Sequence, residues 1–216
     1  TAYEIVMRLE SDVCSSDLQF NRIQTQTFNS LYKTDQNVFI GAPTGSGKTV
    51  CAEFALLRHW TKGDVGRAVY IAPFQELVDS RLQDWQKRLG HLNGGKEIVK
   101  LTGETATDLK LLEKGDLILA TPTQWDVLSR QWKRRKNVQT VELFIADEVH
   151  LLGGSQGYVY ETIVSRMHYI RTQTELPMRI VALSVSLANA RDIGEWIDAK
   201  KHDIYNFSPH VRPVPL

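Results

Sequence analysis

The stretch Gly41-Ala-Pro-Thr-Gly-Ser-Gly-Lys-Thr49 limits the possible folds of this chain more than any other. It follows the apolar run Asn37–Gly41 (NVFIG) and opens the amphipathic run Lys48–Thr61, so it reads as a glycine-rich turn leading a strand into a helix. That context makes it a phosphate-binding loop. Gly45 and Gly47 let backbone N–H groups turn inward around a phosphate, with Thr44 and Ser46 completing the loop, and the helix N-terminus favours the negative charge. Lys48 can reach the β- and γ-phosphates of a nucleotide, and the Thr49 hydroxyl can bind Mg²⁺. The strict pattern opens on glycine where this chain has Ala42. A plain flexible turn would have no need of the Lys-Thr pair.

The rest of the chain repeats the same alternation. Short apolar runs at Arg67–Ala72, Glu97–Leu101, Asp116–Ala120, Glu142–Ala146 and Arg179–Leu183 join Asn37–Gly41 as predicted strands. Between and around them, Ile23–Tyr32, Lys48–Thr61, Gln75–Leu89, Ala106–Leu112, Gln124–Lys133, Tyr158–Thr172 and Asn189–Ala199 have helical spacing. The expectation is an α/β fold in which one parallel sheet is covered by helices on both faces. With 216 residues the chain fits one domain, and no repeat or low-complexity linker divides it. Residues 1–18 lack a sustained period and are read as a non-native leader. The 26 Lys and Arg nearly cancel the 25 Asp and Glu, so any nucleic-acid site must be local. The 2 cysteines form no disulfide framework and no zinc spacing, which points to a reducing compartment. No apolar run is long enough to cross a bilayer, so no membrane partner is expected.

A second motif, Leu143-Phe-Ile-Ala-Asp-Glu-Val-His150, places two carboxylates just past an apolar strand, the end at which open parallel sheets bind ligands. Asp147 is expected to hold Mg²⁺, usually through water, and Glu148 to polarise the water that attacks the γ-phosphate. An Asp-Glu pair alone would more often be a solvated turn. Downstream of a phosphate-binding loop it reads as the second half of an ATP site.

Together these motifs resemble the first RecA-like domain of a superfamily-two DExH-box helicase, a P-loop NTPase. Further segments fall in the order found in the Ski-like helicases: FNRIQTQTF (20–28), YIAPFQELV (70–78), LTGETATD (101–108), TPTQWDVLSR (121–130), DEVHLLGG (147–154) and VRPVPL (211–216). The resemblance covers residues 19–216. Within the group the chain looks most like the first RecA domain in the C-terminal cassette of double-cassette spliceosomal helicases. A double-cassette helicase of a transcription-coactivator complex is the nearest alternative. The resemblance implies that Gln24 reads adenine and that Pro73, Gly103, Thr121 and Pro122 touch the nucleic-acid backbone. It also implies that Ser184, Ser186 and His150 couple the nucleotide site to RNA, since relatives end the strand after the DExH box in Ser-Ala-Thr, which bonds the DExH carboxylates. The implied partners are a second RecA domain with the rest of the helicase, splicing-factor proteins and RNA, in the nucleus. The second RecA domain supplies the arginine finger, worth about 10³ to 10⁵ in rate, so this chain alone is expected to hydrolyse ATP negligibly. Residues 211–216 read as the start of the connection to it.

The chain departs from its relatives where RNA would run. Gln75, Gln124 and Gln156 stand at usually basic positions, Glu76 adds an acid, and Val185 and Ser186 replace Ala and Thr. Each lost phosphate contact weakens nucleic-acid binding. The expectation is a regulatory cassette that binds ATP with weak or no turnover, the rival being a fully active RNA-unwinding cassette. A generic ATPase unrelated to nucleic acid would not explain the ordered segments. The basic run Arg130–Asn137 reads as a solvated helix end and the tryptophans, including Trp85 and Trp125, as packing.

Overall fold

The computed structural model describes residues 20–63, 66–155 and 157–211; the leader 1–18, Gln156 and residues 212–216 lie outside the described residues. Seven parallel strands form one sheet: β1 (Val38–Gly41), β2 (Arg67–Ile71), β3 (Ile98–Lys100), β4 (Leu117–Ala120), β5 (Val141–Ala146), β6 (Arg179–Ser184) and β7 (Ile204–Asn206). Their order across the sheet is β3-β4-β2-β5-β6-β1-β7. All six expected strands are present, and β7 is an addition at the edge.

The strand sequences are apolar almost throughout because both faces of the sheet are covered. Successive side chains alternate between two cores. Val38, Ile40, Ala68, Tyr70, Leu117, Leu119, Ile145, Val181 and Leu183 face one, together with Phe54 and Trp85. Phe39, Val69, Ile71, Ile118, Ala120, Phe144, Ile180 and Ala182 face the other, with Trp125, Ile163 and Met167. Trp85 and Trp125 are both fully buried, as packing residues should be.

The helices are α1 (Arg22–Phe28), α2 (Lys48–Trp60), α3 (Gln75–Leu89), α4 (Thr105–Lys114), α5 (Pro122–Ser129), α6 (Lys136–Gln139), α7 (Gly157–Thr174) and α8 (Ala190–Trp196). Two differ from the periodicity reading for local reasons. The run expected as one helix over Ile23–Tyr32 becomes α1 followed by a π turn, Asn29–Lys33. There the buried Arg179 guanidinium donates to the carbonyls of Ser30, Leu31 and Gln36, at 2.7, 2.9 and 2.7 Å. The helix expected over Gln124–Lys133 instead starts at Pro122, whose fixed φ suits the first helical position. It stops at Ser129, and Arg135 donates to the exposed carbonyls of Leu128 and Val127 at 2.7 and 3.2 Å. That is the helix-end role expected of the basic run.

Candidate functional site

The sheet order brings the two sequence motifs to one place. Strand β6 lies between β1 and β5, with Gly41 opposite Ser184 and Ala146 opposite Ala182. The loop after β1, the Ser-Val-Ser turn after β6 and the Asp-Glu pair after β5 therefore leave the same C-terminal end of the sheet side by side.

In the loop after β1, Gly45 and Gly47 take positive φ values of 75° and 84°, the left-handed region open to glycine. Gly47 is needed for space as well, since a Cβ there would lie 2.6 Å from Gln24 Nε2. Lys48 opens α2 and is buried; its ammonium donates to the loop's own carbonyls, Ala42 at 2.9 Å and Pro43 at 3.1 Å. Thr44 and Gly45 are exposed at the tip, while Thr49 is half-buried. The Ser46 hydroxyl is buried without a partner among the described residues. Its backbone carbonyl accepts from Asn21 Nδ2 at 2.9 Å. Gln24, the expected adenine reader, is nearly buried beside this loop. Its side-chain carbonyl accepts from the Asn21 N–H at 3.0 Å in a capping box that starts α1, so its amide NH₂ is the end turned toward Gly47.

Asp147 follows β5 and is almost buried. One carboxylate oxygen accepts from the Glu148 N–H at 2.9 Å and the other from the Tyr70 hydroxyl. The backbone is fixed too: the Asp147 N–H donates to the Ile71 carbonyl at 2.9 Å, and the Tyr160 hydroxyl donates to the Asp147 carbonyl. Glu148 adopts φ 56°, ψ 42°, a left-handed conformation that costs a non-glycine residue roughly 1–3 kcal/mol. Burial, and then the charge of Asp147, push the Glu148 carboxyl above the usual range, while Lys48 and His150 pull it back. His150 Nδ1 lies 3.3 Å from a Glu148 carboxylate oxygen. Burial likewise holds the Tyr70 and Tyr160 hydroxyls well above the ordinary phenol range, so both remain donors.

The Ser-Val-Ser turn is held differently from the expectation. Neither serine hydroxyl bonds a carboxylate of the Asp-Glu pair. Ser184 Oγ is fully buried with no partner among the described residues, and Ser186 Oγ donates to the Phe207 carbonyl at 2.5 Å. Beside it Asn206 accepts from the Leu187 N–H at 3.1 Å and donates to the Leu187 carbonyl at 2.7 Å. Strand β7 thus clamps the turn, and a Cβ at position 41 would lie 2.5 Å from Asn206 Oδ1, so a larger residue there would displace the Asn206 side chain.

Of the four residues expected at nucleic acid, Pro73, Gly103 and Thr121 lie on loops past β2, β3 and β4, and Pro122 opens α5. Pro73 and Pro122 line one cavity of about 330 Å³, floored by Leu151 and Tyr160. Gly103 is elsewhere, in a turn whose Thr102 and Gly103 N–H groups donate to Asp108 at 2.7 and 3.0 Å. The Thr121 N–H donates to Gln124 Oε1 at 2.9 Å. Gln124 in turn donates to Gln75 at 3.1 Å, and Gln75 to Asp79 at 3.1 Å, which also accepts from Lys100 at 2.6 Å. Two amides therefore join α5 to α3, and the Asp79 carboxylate at their end engages Lys100.

The model of the DEAD/DEAH box helicase family matches residues 21–193. The chain belongs to the DEAD/DEAH box helicases. This helicase domain is 57% identical over 198 residues to the human U5 small nuclear ribonucleoprotein 200 kDa helicase. It is 56% identical over 197 residues to pre-mRNA-splicing factor brr2 of Schizosaccharomyces pombe. Activating signal cointegrator 1 complex subunit 3 of Rattus norvegicus is 51% identical over 197 residues. In each case the match covers 91% of this chain and 9% of the relative. Among solved structures, the DUF1998 helicase MrfA bound to DNA and AMPPNP superposes with a TM-score of 0.72 at 19% identity, over 90% of this chain and 27% of that one. The RecA-like fold expected for a P-loop NTPase is thereby shown.

Four residues of the helicase domain's site escaped the sequence reading: Asn21, Tyr70, Tyr160 and Asn206. Asn21 had a readable signal, because Asn-x-x-Gln before an apolar helix is a capping-box pattern. Tyr70 and Tyr160 had none, being aromatic residues in apolar runs whose hydroxyl partners only the fold reveals.

Proposed function

We propose that this chain is the ATP-binding first RecA-like domain of a nuclear, spliceosomal, ATP-dependent RNA helicase, and that its cassette binds Mg²⁺-ATP but acts chiefly in regulation. The identity to spliceosomal helicases supports the parent assignment. The observation that carries the nucleotide reading is that Lys48, Asp147 and Glu148 follow neighbouring strands at the same C-terminal end of the sheet, where the buried hydroxyls of Ser46 and Ser184 have no partner among the described residues. Buried polar groups without partners are rare, and a phosphate and its hydrated metal would satisfy these two.

In this reading Thr44, Gly45, Ser46, Gly47 and Lys48 hold the phosphates, Gln24 meets the adenine through its NH₂ group, and Thr49 and Asp147 hold Mg²⁺. Mg²⁺ keeps most of its water and takes few protein ligands, so a pair suffices. When bound, the metal neutralises charge developing on the β- and γ-phosphate oxygens. Glu148, its carboxyl raised by burial, orients the attacking water. Lys48 must release the Ala42 and Pro43 carbonyls as phosphate enters.

The chain Gln124–Gln75–Asp79, two amides ending on a carboxylate that pairs with Lys100, supports weak RNA handling, because it engages the adjacent cation and adds none of its own. The intact ATP-site residues favour the second reading, an actively unwinding cassette. Measuring RNA-stimulated ATP turnover in the full-length parent protein decides between them. The regulatory reading predicts that Lys48→Ala and Glu148→Gln in this cassette leave most of the stimulated rate in place; loss of that rate with either variant would establish the active one.

A further inference from the structure

We propose that Tyr70 is a positioning residue for Asp147: its hydroxyl fixes the carboxylate in the orientation that Mg²⁺ requires. The inference rests on the proposed Mg²⁺ role of Asp147.

Tyr70 lies one residue before the end of β2, is 2% exposed, and donates to one Asp147 oxygen. The other oxygen accepts from the Glu148 N–H at 2.9 Å. With a donor on each oxygen, the carboxylate plane cannot rotate freely, and each oxygen keeps lone-pair capacity for a hydrated ion. Partners of this kind set ligand orientation at metal sites.

What holds Tyr70 is equally specific. Its ring meets that of Trp85 edge-on, with centroids 4.9 Å apart and planes at 73°. The Trp85 indole N–H donates to Glu53 at 2.9 Å, and Arg88 closes on both Glu53 oxygens at 2.9 and 3.0 Å. Glu53 sits on α2, the helix that Lys48 opens. A continuous buried chain, Asp147–Tyr70–Trp85–Glu53, therefore references the metal-side carboxylate to the helix that presents the phosphate-side lysine. A tyrosine serving only as core filler would need the ring but not the hydroxyl. Phenylalanine separates the two roles, since it keeps the Trp85 contact and removes one donor.

The test is a titration of MgCl₂ into the chain saturated with ADP, read as the rise in melting temperature. The expected result is that Tyr70→Phe leaves the stabilisation by metal-free ADP unchanged and moves the Mg²⁺ midpoint upward by about tenfold or more. Tyr160→Phe serves as the comparison, because that hydroxyl contacts the Asp147 main chain and not its carboxylate. It should lower the melting temperature while keeping the wild-type Mg²⁺ midpoint. An unchanged midpoint in Tyr70→Phe, or an equal shift in both variants, overturns the positioning role while the Mg²⁺ reading stands. Absence of any Mg²⁺ step in the wild-type chain overturns the Mg²⁺ reading itself and the inference with it.

Discussion

Asp126 shows how one residue's surroundings become a property of the whole chain. Burial raises its carboxyl pKa, but hydrogen bonds and charge from Arg130 and Arg166 more than offset this and hold it below the usual carboxylate value. Arg166 reaches it at 2.8 Å and also donates to Ser129 Oγ at 2.7 Å, so the group ties α5 to α7. A carboxyl whose folded-state pKa is depressed contributes stability that is fully present above its unfolded value, near 3.9, and lost as pH falls through the folded value. Unfolding measured between about pH 2 and 6 should therefore show an acid limb that flattens in Asp126→Asn. An unchanged limb would place the proton uptake elsewhere. Burial alone would not reveal this role, since nearly buried Asp147 and Asp126 look alike until their partners are compared.

At the scale of elements, six strands were legible and β7, at one edge of the sheet, was not. A strand buried on both faces must be apolar throughout, so β1, β2, β4, β5 and β6 stand out from any surrounding polar sequence. Strand β7 pairs with β1 alone through only Ile204, Tyr205 and Asn206, too short and too polar to show periodicity. Its importance lies in Asn206 and in the Phe207 carbonyl, which brace the Ser-Val-Ser turn from a distance no local pattern encodes. The roles of Lys48, Asp147 and Glu148 were legible because a motif fixes their chemistry and its flanking strand fixes their place. The present engagement of Ser186 was not, because it depends on the unforeseen strand. Arg179 belongs to the same class. It begins β6 inside an apolar run, and burial pushes its guanidinium pKa down to about 10, which leaves it charged at neutral pH. Its three carbonyl partners fix the π turn and the chain entering β1. Arg179→Met should therefore cost on the order of 3 kcal/mol in denaturant unfolding, because buried carbonyls lose a charged donor. A cost below about 1 kcal/mol would show that the π turn stands without it.

Across the whole molecule, a two-faced parallel sheet gathers its candidate site residues at the C-terminal end of its neighbouring strands β1, β6 and β5. Lys48, Asp147 and Glu148 come together there, and fast phosphoryl transfer also draws on an arginine finger supplied in cis or in trans. The proposed regulatory role needs only nucleotide binding. The chain spans 9% of the length of the spliceosomal relatives it matches. The most direct measurement is the thermal unfolding of the chain with and without Mg²⁺-ADP, beside Lys48→Ala. Ligand at about 100 times its dissociation constant stabilises a folded state by roughly 2.7 kcal/mol, or about 5–10 °C for a domain of this size. The predicted result is a rise of that order in the wild-type chain and none in Lys48→Ala. A wild-type melting temperature that nucleotide does not move, or an equal rise in the variant, would contradict nucleotide binding at this loop.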